Sequence, residues 1–490
     1  MTTNLASVLS PKNLLVLMSD EHNPRVMGAA GHALAQTPHL DRLAARGTRF
    51  TGAYTTSPIC VPARAGFATG KYPHQIGYWD NADAYDGAVP SWHHLLRAAG
   101  HRVVSIGKLH FRGLPGDDHG FSEELLPMHV VDGLGDIKGL VRENIPRRNG
   151  YDKLAKLAGP GESPYTRYDR DIAARAQLWL REEAPRERPW ALFVSFVCPH
   201  FPLVAPPEFY DRYPQDRIPL PKQYLPAERP RHPYLRDYDA CVAYDAGFAG
   251  DQAKVRRAIA GYLGLVSFMD DNVGKVLGAL QEAGMEPDTR VVYTSDHGDN
   301  VGARGLWGKS TMYEESAGVP LLLAGPGVPR GAKCATPVSH VDLFPFFLEA
   351  VGLPFSSHDH PGTSPLTIAA GGDPDRAVFS EYHAIGSTGG ISMLRKGRWK
   401  YVHCVRYPPQ LFDLQSDPEE LVDLAGDPAH RATLAAMEAE LRRHFDPEEV
   451  DARAKRRQGE LLARAGGREA ALARGDLNYT PAPGQAPDMN

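Results

Sequence analysis

The chain has 490 residues, of which 42% are hydrophobic and 23% are charged. These values are typical of a soluble globular protein, long enough for one large domain with an appendage or for two or three ordinary domains. The formal net charge of −5 at pH 7 excludes a general electrostatic attraction to nucleic acid or to an anionic membrane. We therefore expect neither as a partner, and a local cluster of cations would have to attract any anionic substrate.

The first residues, MTTNLASVLSPKN, contain no early basic region and no apolar run of signal length. The apolar run from Leu14 to Met18 is too short to span a bilayer. Both observations favour a cytoplasmic protein. The cysteines, five in number, have no CxxC or His-rich zinc spacing, which argues against a disulfide framework or a structural zinc site.

Apolar runs rich in β-branched residues alternate with helical patterns along most of the chain. This alternation is typical of an α/β fold around a mainly parallel sheet. The clearest predicted strands are Leu14 to Ser19, Arg102 to Ile106, Trp190 to Val197 and Arg290 to Ser295. The predicted helices between them are Thr37 to Arg46, Ser91 to Ala99, Asp169 to Glu183 and Lys254 to Glu282. We expect a large sheet flanked by helices, formed by residues 1–374.

From about Asp375 the pattern changes, which predicts a smaller C-terminal α+β subdomain over residues 375–490. Short antiparallel strands are predicted at Val378 to His383, Ile391 to His403 and Gln410 to Leu414, followed by a helix at Ala429 to Phe445. Asp451 to Arg474 predicts a surface helix interrupted at Gly466-Gly467. The last residues, from Asn478, are Pro-rich and cannot build a core. They predict either a disordered tail or an arm that lies on a neighbouring subunit of a homo-oligomer.

Polar side chains follow each of the four clearest strands. In a parallel sheet, ligands bind beyond the carboxyl ends of the strands. Polar residues also end most strands as turn formers, but complementary chemistry at four ends favours a shared site. Carboxylates with one imidazole suit a hard divalent cation, Ca²⁺ or Mg²⁺, with Mn²⁺ possible. The residues at these ends are Asp20 and Glu21, Lys108 and His110, His200, and Asp296 and His297.

The stretch from Ser57 to Gly77 contains the chemical centre that we predict, Cys60. Pro62 suits the first position of a helix, and Gly70 suits its end. Cys60 would then lie at a helix N-terminus, where an anion is favoured and a thiol pKa is depressed. Arg64 adds a positive charge one turn later. The alternative is that Cys60 is an ordinary buried cysteine.

CVPARAGFATG, from Cys60 to Gly70, resembles the C-x-P-x-R signature of the formylglycine-dependent sulfatases, a family of the alkaline phosphatase superfamily. Four more motifs of this chain resemble that family: the acidic pair at Asp20, the sequence SDHGD at Asp296, GKLHFRG at Lys108, and CPHFP at His200. Lys309 falls where the family has a lysine before a Tyr-Glu run. The chain departs from many members at Ala63 and at Glu21.

The resemblance implies a mechanism and a partner. A formylglycine-generating enzyme would oxidise Cys60 to an aldehyde, whose hydrate is the nucleophile. Asp20, Glu21, Asp296 and His297, with the modified Cys60, would bind one divalent metal, for which Ca²⁺ is favoured over Mn²⁺ or Mg²⁺. The remaining roles implied are sulfuryl-oxygen binding by Lys108, Lys309 and His110, proton donation to the leaving oxygen by His200, and orientation of the hydrate by Arg64.

The expected substrate is a small anionic sulfate monoester. Asn81 resembles a substrate-contacting Asn of choline-sulfatases, but a quaternary ammonium requires an aromatic cage, and residues 129–135 contain no Trp. The same site would also suit a phosphonate monoester or phosphodiester, since Asp296-His297 occurs in both kinds of enzyme. A third alternative is a noncatalytic binding protein in which Cys60 stays unmodified.

Overall fold

The computed structural model describes residues 12–356, 358 and 360–489. Residues 1–11, which include most of the N-terminal stretch considered for a signal, lie outside this range, as does Asn490. The strands in chain order are β1 (Asn13–Asp20), β2 (Gly47–Phe50), β3 (Ala53–Tyr54), β4 (Arg102–Lys108), β5 (Glu123–Met128), β6 (Gly159–Pro160), β7 (Trp190–Pro199), β8 (Val204–Ala205), β9 (Thr289–Ser295), β10 (Leu321–Ala324), β11 (Ala332–Cys334), β12 (Val338–Ser339), β13 (Ala377–Tyr382), β14 (Ile391–Lys396), β15 (Trp399–Cys404) and β16 (Gln410–Asp413).

The α-helices are α1 (Pro38–Ala45), α2 (Cys60–Thr69), α3 (Pro73–Ile76), α4 (Trp92–Ala98), α5 (Lys153–Leu157), α6 (Pro164–Leu178), α7 (Pro207–Tyr210), α8 (Pro233–Val242), α9 (Gln252–Glu282), α10 (Glu314–Ala317), α11 (Leu343–Ala350), α12 (Pro365–Ala369), α13 (Arg431–His444), α14 (Pro447–Arg464) and α15 (Gly467–Ala473). Within the described part of the chain, none of these helices combines the length and the apolar character that crossing a membrane requires.

An eight-stranded mixed sheet has the order β11-β2-β10-β9-β1-β7-β4-β5. β10 is antiparallel to both of its neighbours, and the other pairings in this sheet are parallel. The predicted α/β architecture is therefore confirmed. The four strands predicted from the sequence are the neighbours β9, β1, β7 and β4, so their carboxyl ends lie side by side.

Helices cover both faces of this sheet. Along β1 the side chains alternate, as a period of two requires: Leu15 and Leu17 pack in the layer of α6 and α9. Leu14 and Val16 pack in the opposite layer, with residues of α2, α4 and α11. Both faces of β1 are thus covered by helices. Strands in this position consist of continuous apolar residues, which is the pattern that the sequence of β1 shows.

Helix α6 begins five residues earlier than its apolar pattern predicts. Pro164 occupies the first turn, and Ser163 caps the helix by accepting a hydrogen bond from Thr166 N at 3.1 Å. Thr166 Oγ1 in turn accepts from Ser163 N at 2.9 Å, which completes a capping box. This polar first turn carries no apolar periodicity, so the hydrophobic pattern alone misses it.

The C-terminal part forms a four-stranded antiparallel sheet, β13-β14-β15-β16, as predicted. The run from Ile391 to His403 forms two strands rather than one, because Gly397 adopts a positive φ of 54° and allows a tight turn between β14 and β15. The predicted break at Gly466-Gly467 is confirmed, with φ of 92° and 85°. The boundary at residue 374 stays a prediction.

Candidate active site

Four neighbouring strands place polar side chains at one edge of the large sheet. The carboxyl ends of β9, β1, β7 and β4 are followed or formed by Asp296, Asp20, His200 and Lys108. These side chains come from segments far apart in the chain. The structure thus brings the predicted strand ends together around Cys60, at the start of α2.

Helix α2 begins at Cys60 itself, two residues before the predicted start. Ile59 is its N-cap in an extended conformation, and Ala63 N donates to Ile59 O at 3.1 Å. Pro62 is therefore the third helical residue, where its missing N–H costs nothing because the first-turn donors have no intrahelical partner. Gly70 ends the helix with a φ of 65°, as expected. Cys60 lies at a helix N-terminus, as predicted.

Cys60 is buried at the centre of a polar cluster. Its Sγ lies 3.1 Å from His297 Nε2 and 3.1 Å from Lys309 Nζ, and 3.8 Å from Asp20 Oδ1. The expectation of a depressed thiol pKa is wrong for the unmodified cysteine. Complete burial, together with the charge of Asp20, raises the pKa of Cys60 to about 12, which outweighs the opposing charge of Lys309.

Arg64 and Lys108 neutralise the two aspartates. Arg64 Nε donates to Asp296 Oδ2 at 2.8 Å, and Arg64 Nη2 donates to Asp20 Oδ2 at 3.3 Å. Lys108 Nζ forms an ion pair with Asp20. Burial alone would raise the pKa of Asp20, but Lys108, His200 and Arg64 hold it well below its usual range. Asp20 is thus positioned as a buried anion, and Arg64 holds Asp296 beside it.

The donor set around Cys60 fits a divalent cation. Ligand atoms of Asp20, Cys60, Asp296 and His297 all lie within 4.8 Å of one another. His297 Nδ1 donates to Gly298 O at 2.9 Å, which leaves Nε2 free to face the cluster. A backbone partner on the second ring nitrogen is usual for histidines that bind metals.

Glu21 lies beside this group, not within it. Its Oε2 is 3.3 Å from both Lys309 Nζ and His200 Nε2, and it groups with Asp20 and His200. Burial raises the pKa of Glu21 to about 8, and its Oε1 has no hydrogen-bond partner among the described residues. A buried carboxylate oxygen without a partner is the kind of atom that a cation would satisfy.

His200 does not have the neutral-range pKa expected of it. Burial, followed by the charge of Lys309, holds the pKa of His200 well below its usual value. His200 Nδ1 donates to Phe201 O at 2.7 Å, so Nε2 accepts from Lys309 Nζ at 3.0 Å. Burial opposes the charge of Lys309, but Cys60, Glu21 and Asp20 raise the pKa of Lys309 well above its usual value. The proton of this pair therefore resides on Lys309.

The C-terminal residues 478–489 lie against their own chain. His110 Nε2 is 2.9 Å from Thr480 Oγ1, and the Tyr165 hydroxyl donates to Thr480 O. The expectation of a disordered tail is therefore wrong for the described residues, and the alternative of an arm on a neighbouring subunit stays a prediction. Burial and the nearby Lys108 hold the pKa of His110 well below its usual value, so its ring is neutral beside Thr480.

Asn81 contacts the start of α2. Its Oδ1 accepts a hydrogen bond from Val61 N at 3.1 Å, which satisfies one of the free donors of the first helical turn. Asn81 also lines the cavity that opens above Cys60. The side chain thus both positions the helix and reaches the space expected to hold substrate.

A model of the sulfatase family matches residues 12–353. This chain belongs to the sulfatase family. The prediction of a sulfuric ester hydrolase of the alkaline phosphatase superfamily is thereby confirmed. A second model, the C-terminal part of N-sulphoglucosamine sulphohydrolase, matches residues 302–446 of this sulfatase.

Two curated relatives and two solved structures illustrate the similarity. A choline-sulfatase of Rhizobium meliloti (strain 1021) is 34% identical over 463 residues, 91% of this chain and 89% of that protein. Arylsulfatase K of Danio rerio is 28% identical over 432 residues, covering 84% and 79%. Phosphonate monoester hydrolase SpPMH from Silicibacter pomeroyi is 25% identical with a TM-score of 0.71, covering 88% and 95%. BT4656, in complex with its substrate D-glucosamine-2-N,6-O-disulfate, shares the fold, with 22% identity and a TM-score of 0.72 over 91% and 98%.

The cavity of this sulfatase includes residues that the sequence analysis missed. Asp299 lies in the same SDHGD sequence as Asp296, and its Oδ1 accepts from Gly308 N at 3.0 Å. That contact holds the loop that presents Lys309, so the motif itself could have indicated Asp299. Thr480 and Tyr479 carry no such sequence pattern. Further aromatic residues that line the cavity are Tyr151, Phe201, Tyr238 and Tyr244.

Proposed function

We propose that this sulfatase hydrolyses a small sulfate monoester to an alcohol or phenol and inorganic sulfate, with a nucleophile derived from Cys60. The position of Cys60 supports this most directly, since its Sγ lies 3.1 Å from both Lys309 Nζ and His297 Nε2. A formylglycine hydrate at position 60 supplies two hydroxyls on one carbon, one to attack and one to restore the aldehyde. The partner for maturation is then a formylglycine-generating enzyme.

We infer that Asp20, Glu21, Asp296 and His297, with the group at position 60, hold one divalent metal. Carboxylate oxygens favour Ca²⁺, and the single imidazole also admits Mn²⁺ or Mg²⁺. A metal bound there acts as a Lewis acid on sulfuryl oxygens. The unpartnered Oε1 of Glu21 supports its inclusion.

Two lysines and one neutral histidine of this chain would bind the sulfuryl group as hydrogen-bond donors. Lys108 and Lys309 contact Asp20 and Cys60, and His110 lines the same cavity. Preorganised donors of this kind contribute about 3 kcal/mol each to transition-state stabilisation, so three would contribute on the order of 9 kcal/mol. Arg64 is engaged by Asp296 and by Lys108 O at 2.7 Å, which suits a role in positioning the carboxylates and the residue at position 60.

The proton for the leaving oxygen would come from the Lys309–His200 pair. His200 was expected to donate it alone, but its Nε2 accepts from Lys309 Nζ at 3.0 Å. A substrate oxygen that enters between them would receive a proton that Lys309 supplies and His200 positions.

Peptide mass spectrometry tests the nucleophile first. Protein from a host with a formylglycine-generating system should carry an aldehyde or its hydrate at position 60. Cys60→Ala should abolish hydrolysis of p-nitrophenyl sulfate without lowering Tm greatly, whereas Cys404→Ala, in the C-terminal sheet, should retain it. An intact thiol in a host that converts a control sulfatase would favour a noncatalytic binding protein.

Hydrolysis of phosphonate monoesters is the second candidate. The similarity to SpPMH and the imidazole of His297 in the donor set favour it. Matched p-nitrophenyl sulfate and p-nitrophenyl phenylphosphonate would separate the two activities. A higher kcat/KM for the phosphonate would overturn our choice.

The cavity also bears on choline sulfate as a substrate. The lack of Trp in residues 129–135 argued against an aromatic cage, but Phe201, Tyr238, Tyr244 and Tyr479 line the cavity from other segments. Aromatic faces attract quaternary ammonium groups. The substrate panel should therefore include choline sulfate beside aryl sulfates. If an aromatic cage binds the ammonium group, Tyr244→Ala should raise KM for choline sulfate more than KM for p-nitrophenyl sulfate.

A further inference from the structure

A second cluster of metal-ligating side chains lies outside the proposed active site, at β5 and the loops that flank it. Glu124 Oε1 is 2.8 Å from His119 Nδ1, and Glu124 Oε2 is 3.2 Å from His129 Nε2. The ligand atoms of the three residues all lie within 4.8 Å of one another. None of the three belongs to the residues that line the active-site cavity.

The cluster is buried at His119 and partly exposed to solvent at Glu124 and His129. The side chain of His119 is 3% exposed and packs against the rings of Tyr85 and Phe111. Those of Glu124 and His129 are 23% and 21% exposed. Gly113 leaves room for the His129 ring, because a Cβ at that position would lie 2.4 Å from it. A small ion can therefore reach a partly preformed set of ligands.

The ring nitrogens that face Glu124, His119 Nδ1 and His129 Nε2, contact no other hydrogen-bond partner among the described residues. Glu124 is the hydrogen-bond partner of both rings, and His119 Nε2 and His129 Nδ1 have no partner among the described residues. No further hydrogen bond holds the protons on the nitrogens that face Glu124. A cation that binds at these nitrogens would require the neutral tautomer of each ring that carries its proton on the far nitrogen, His119 Nε2 or His129 Nδ1.

We propose that His119, Glu124 and His129 form a second metal site, which binds a divalent transition-metal ion such as Zn²⁺. Two imidazoles and one carboxylate form a known three-ligand set for zinc and for other divalent transition metals, with a remaining position open to water. Ligand atoms about 2.0–2.1 Å from a tetrahedral zinc lie about 3.3 Å apart, close to the 2.8 and 3.2 Å that separate Glu124 from the two imidazole nitrogens. The proposed active-site metal group is rich in carboxylates and therefore favours a hard cation such as Ca²⁺, whereas this second group, with two imidazoles, favours a transition metal.

This inference does not depend on the proposed function. The spacing of these residues matches no standard zinc pattern, which is why the sequence argued against a zinc site; β5 brings them together. The segment also supports the active-site wall, since His110 N donates to Met128 O at 2.8 Å and Val130 N donates to Phe111 O at 3.0 Å. A metal at His129 would stiffen the wall to which His110 and Val130 contribute.

Metal titration of the full-length protein in saturating Ca²⁺ tests the proposal. We expect wild type to bind one equivalent of Zn²⁺ by calorimetry, and Co²⁺ to give visible absorption typical of a low-coordinate nitrogen and oxygen site. His129→Ala and Glu124→Gln should weaken this binding by at least about tenfold. His430→Ala, which removes another histidine that lies beside a carboxylate, should leave it unchanged. Zn²⁺ should raise Tm of wild type and of His430→Ala, but not of the other two.

Two further variants separate the alternatives. Asp296→Asn, in the first site, should retain the Zn²⁺ equivalent; its loss there would assign the binding to the proposed active site and overturn the proposal. His129→Gln keeps a hydrogen bond to Glu124 but is a poor ligand, so it should lose Zn²⁺ while keeping the metal-free Tm. Absence of a Zn²⁺ equivalent in folded wild type, or its retention in His129→Gln, would show that the cluster is only a hydrogen-bonded network.

Discussion

Lys309 donates a hydrogen bond to the sulfur of Cys60 at 3.1 Å, although 249 residues separate them in the chain. The loop after β9 makes this contact possible. Gly308 adopts a φ of 67°, its N donates to Asp299 Oδ1, and Asn300 N donates to Gly308 O at 2.7 Å. Because this loop fixes the backbone next to Lys309, the ammonium is held at the cluster and is not a solvated surface lysine.

Lys309→Ala should lower kcat by about 10²–10³-fold, the usual effect of removing one preorganised donor to a developing oxyanion. The measurement is steady-state hydrolysis of p-nitrophenyl sulfate, with Tm recorded to confirm folding. Lys275→Ala removes an ammonium that pairs with Asp271 on the exposed side of α9 and should leave kcat unchanged. An unaltered rate in folded Lys309→Ala would remove Lys309 from the proposed machinery.

Removal of divalent metal should abolish hydrolysis and lower Tm. Asp20, Glu21 and Asp296 are each 1% exposed or less, so a cation bound among these buried carboxyl groups stabilises the folded chain, and its removal takes that stabilisation away. Dialysis against a chelator followed by addition of Ca²⁺, Mn²⁺ or Mg²⁺ measures both effects and ranks the metals. Full activity after exhaustive chelation would contradict the proposed metal site.

Thr480→Val should reduce kcat/KM by up to about tenfold. The valine keeps the shape of the threonine side chain but removes the hydroxyl beside His110, and one hydrogen bond contributes about 0.5–1.5 kcal/mol. Tm should change little. Gln485→Ala, an exposed position of the same segment, is the matched control. Equal rates for wild type and Thr480→Val would indicate that this contact does not position His110 during the reaction.

Asp80 should make the stability of the protein fall as pH rises. Burial, with the charge of Asp83, raises the pKa of Asp80 from 3.8 to about 7. Between these two values the folded chain keeps a proton that the unfolded chain has lost, so the free energy of unfolding decreases with increasing pH in that window.

Asp80→Asn removes this titration. From about pH 4 to about pH 7, its free energy of unfolding should improve relative to wild type by a few kcal/mol, as measured by urea denaturation. Asp216→Asn, at an exposed carboxyl, should show no such trend. If the difference in free energy of unfolding between Asp80→Asn and wild type stays constant with pH, Asp80 does not titrate in this range.

Much of the site could be predicted because its residues follow strands whose pattern is local. Asp20, Lys108, His200 and Asp296 each end an apolar run, and parallel strands bring such ends to one edge. Local pattern could not predict the pKa of Cys60, since burial and the carboxylate of Asp20 come from other segments.

The sequence by itself determined the family, the α/β alternation and the identity of the residues at the strand ends, because these depend on local periodicity and short motifs. The tertiary structure decided which charges meet. It placed Thr480 beside His110, gave Asn81 a contact with the start of α2, and joined His119, Glu124 and His129 across β5. The physical reason is that burial and Coulombic interactions depend on distances between side chains, and those distances are set by packing between segments far apart in the chain.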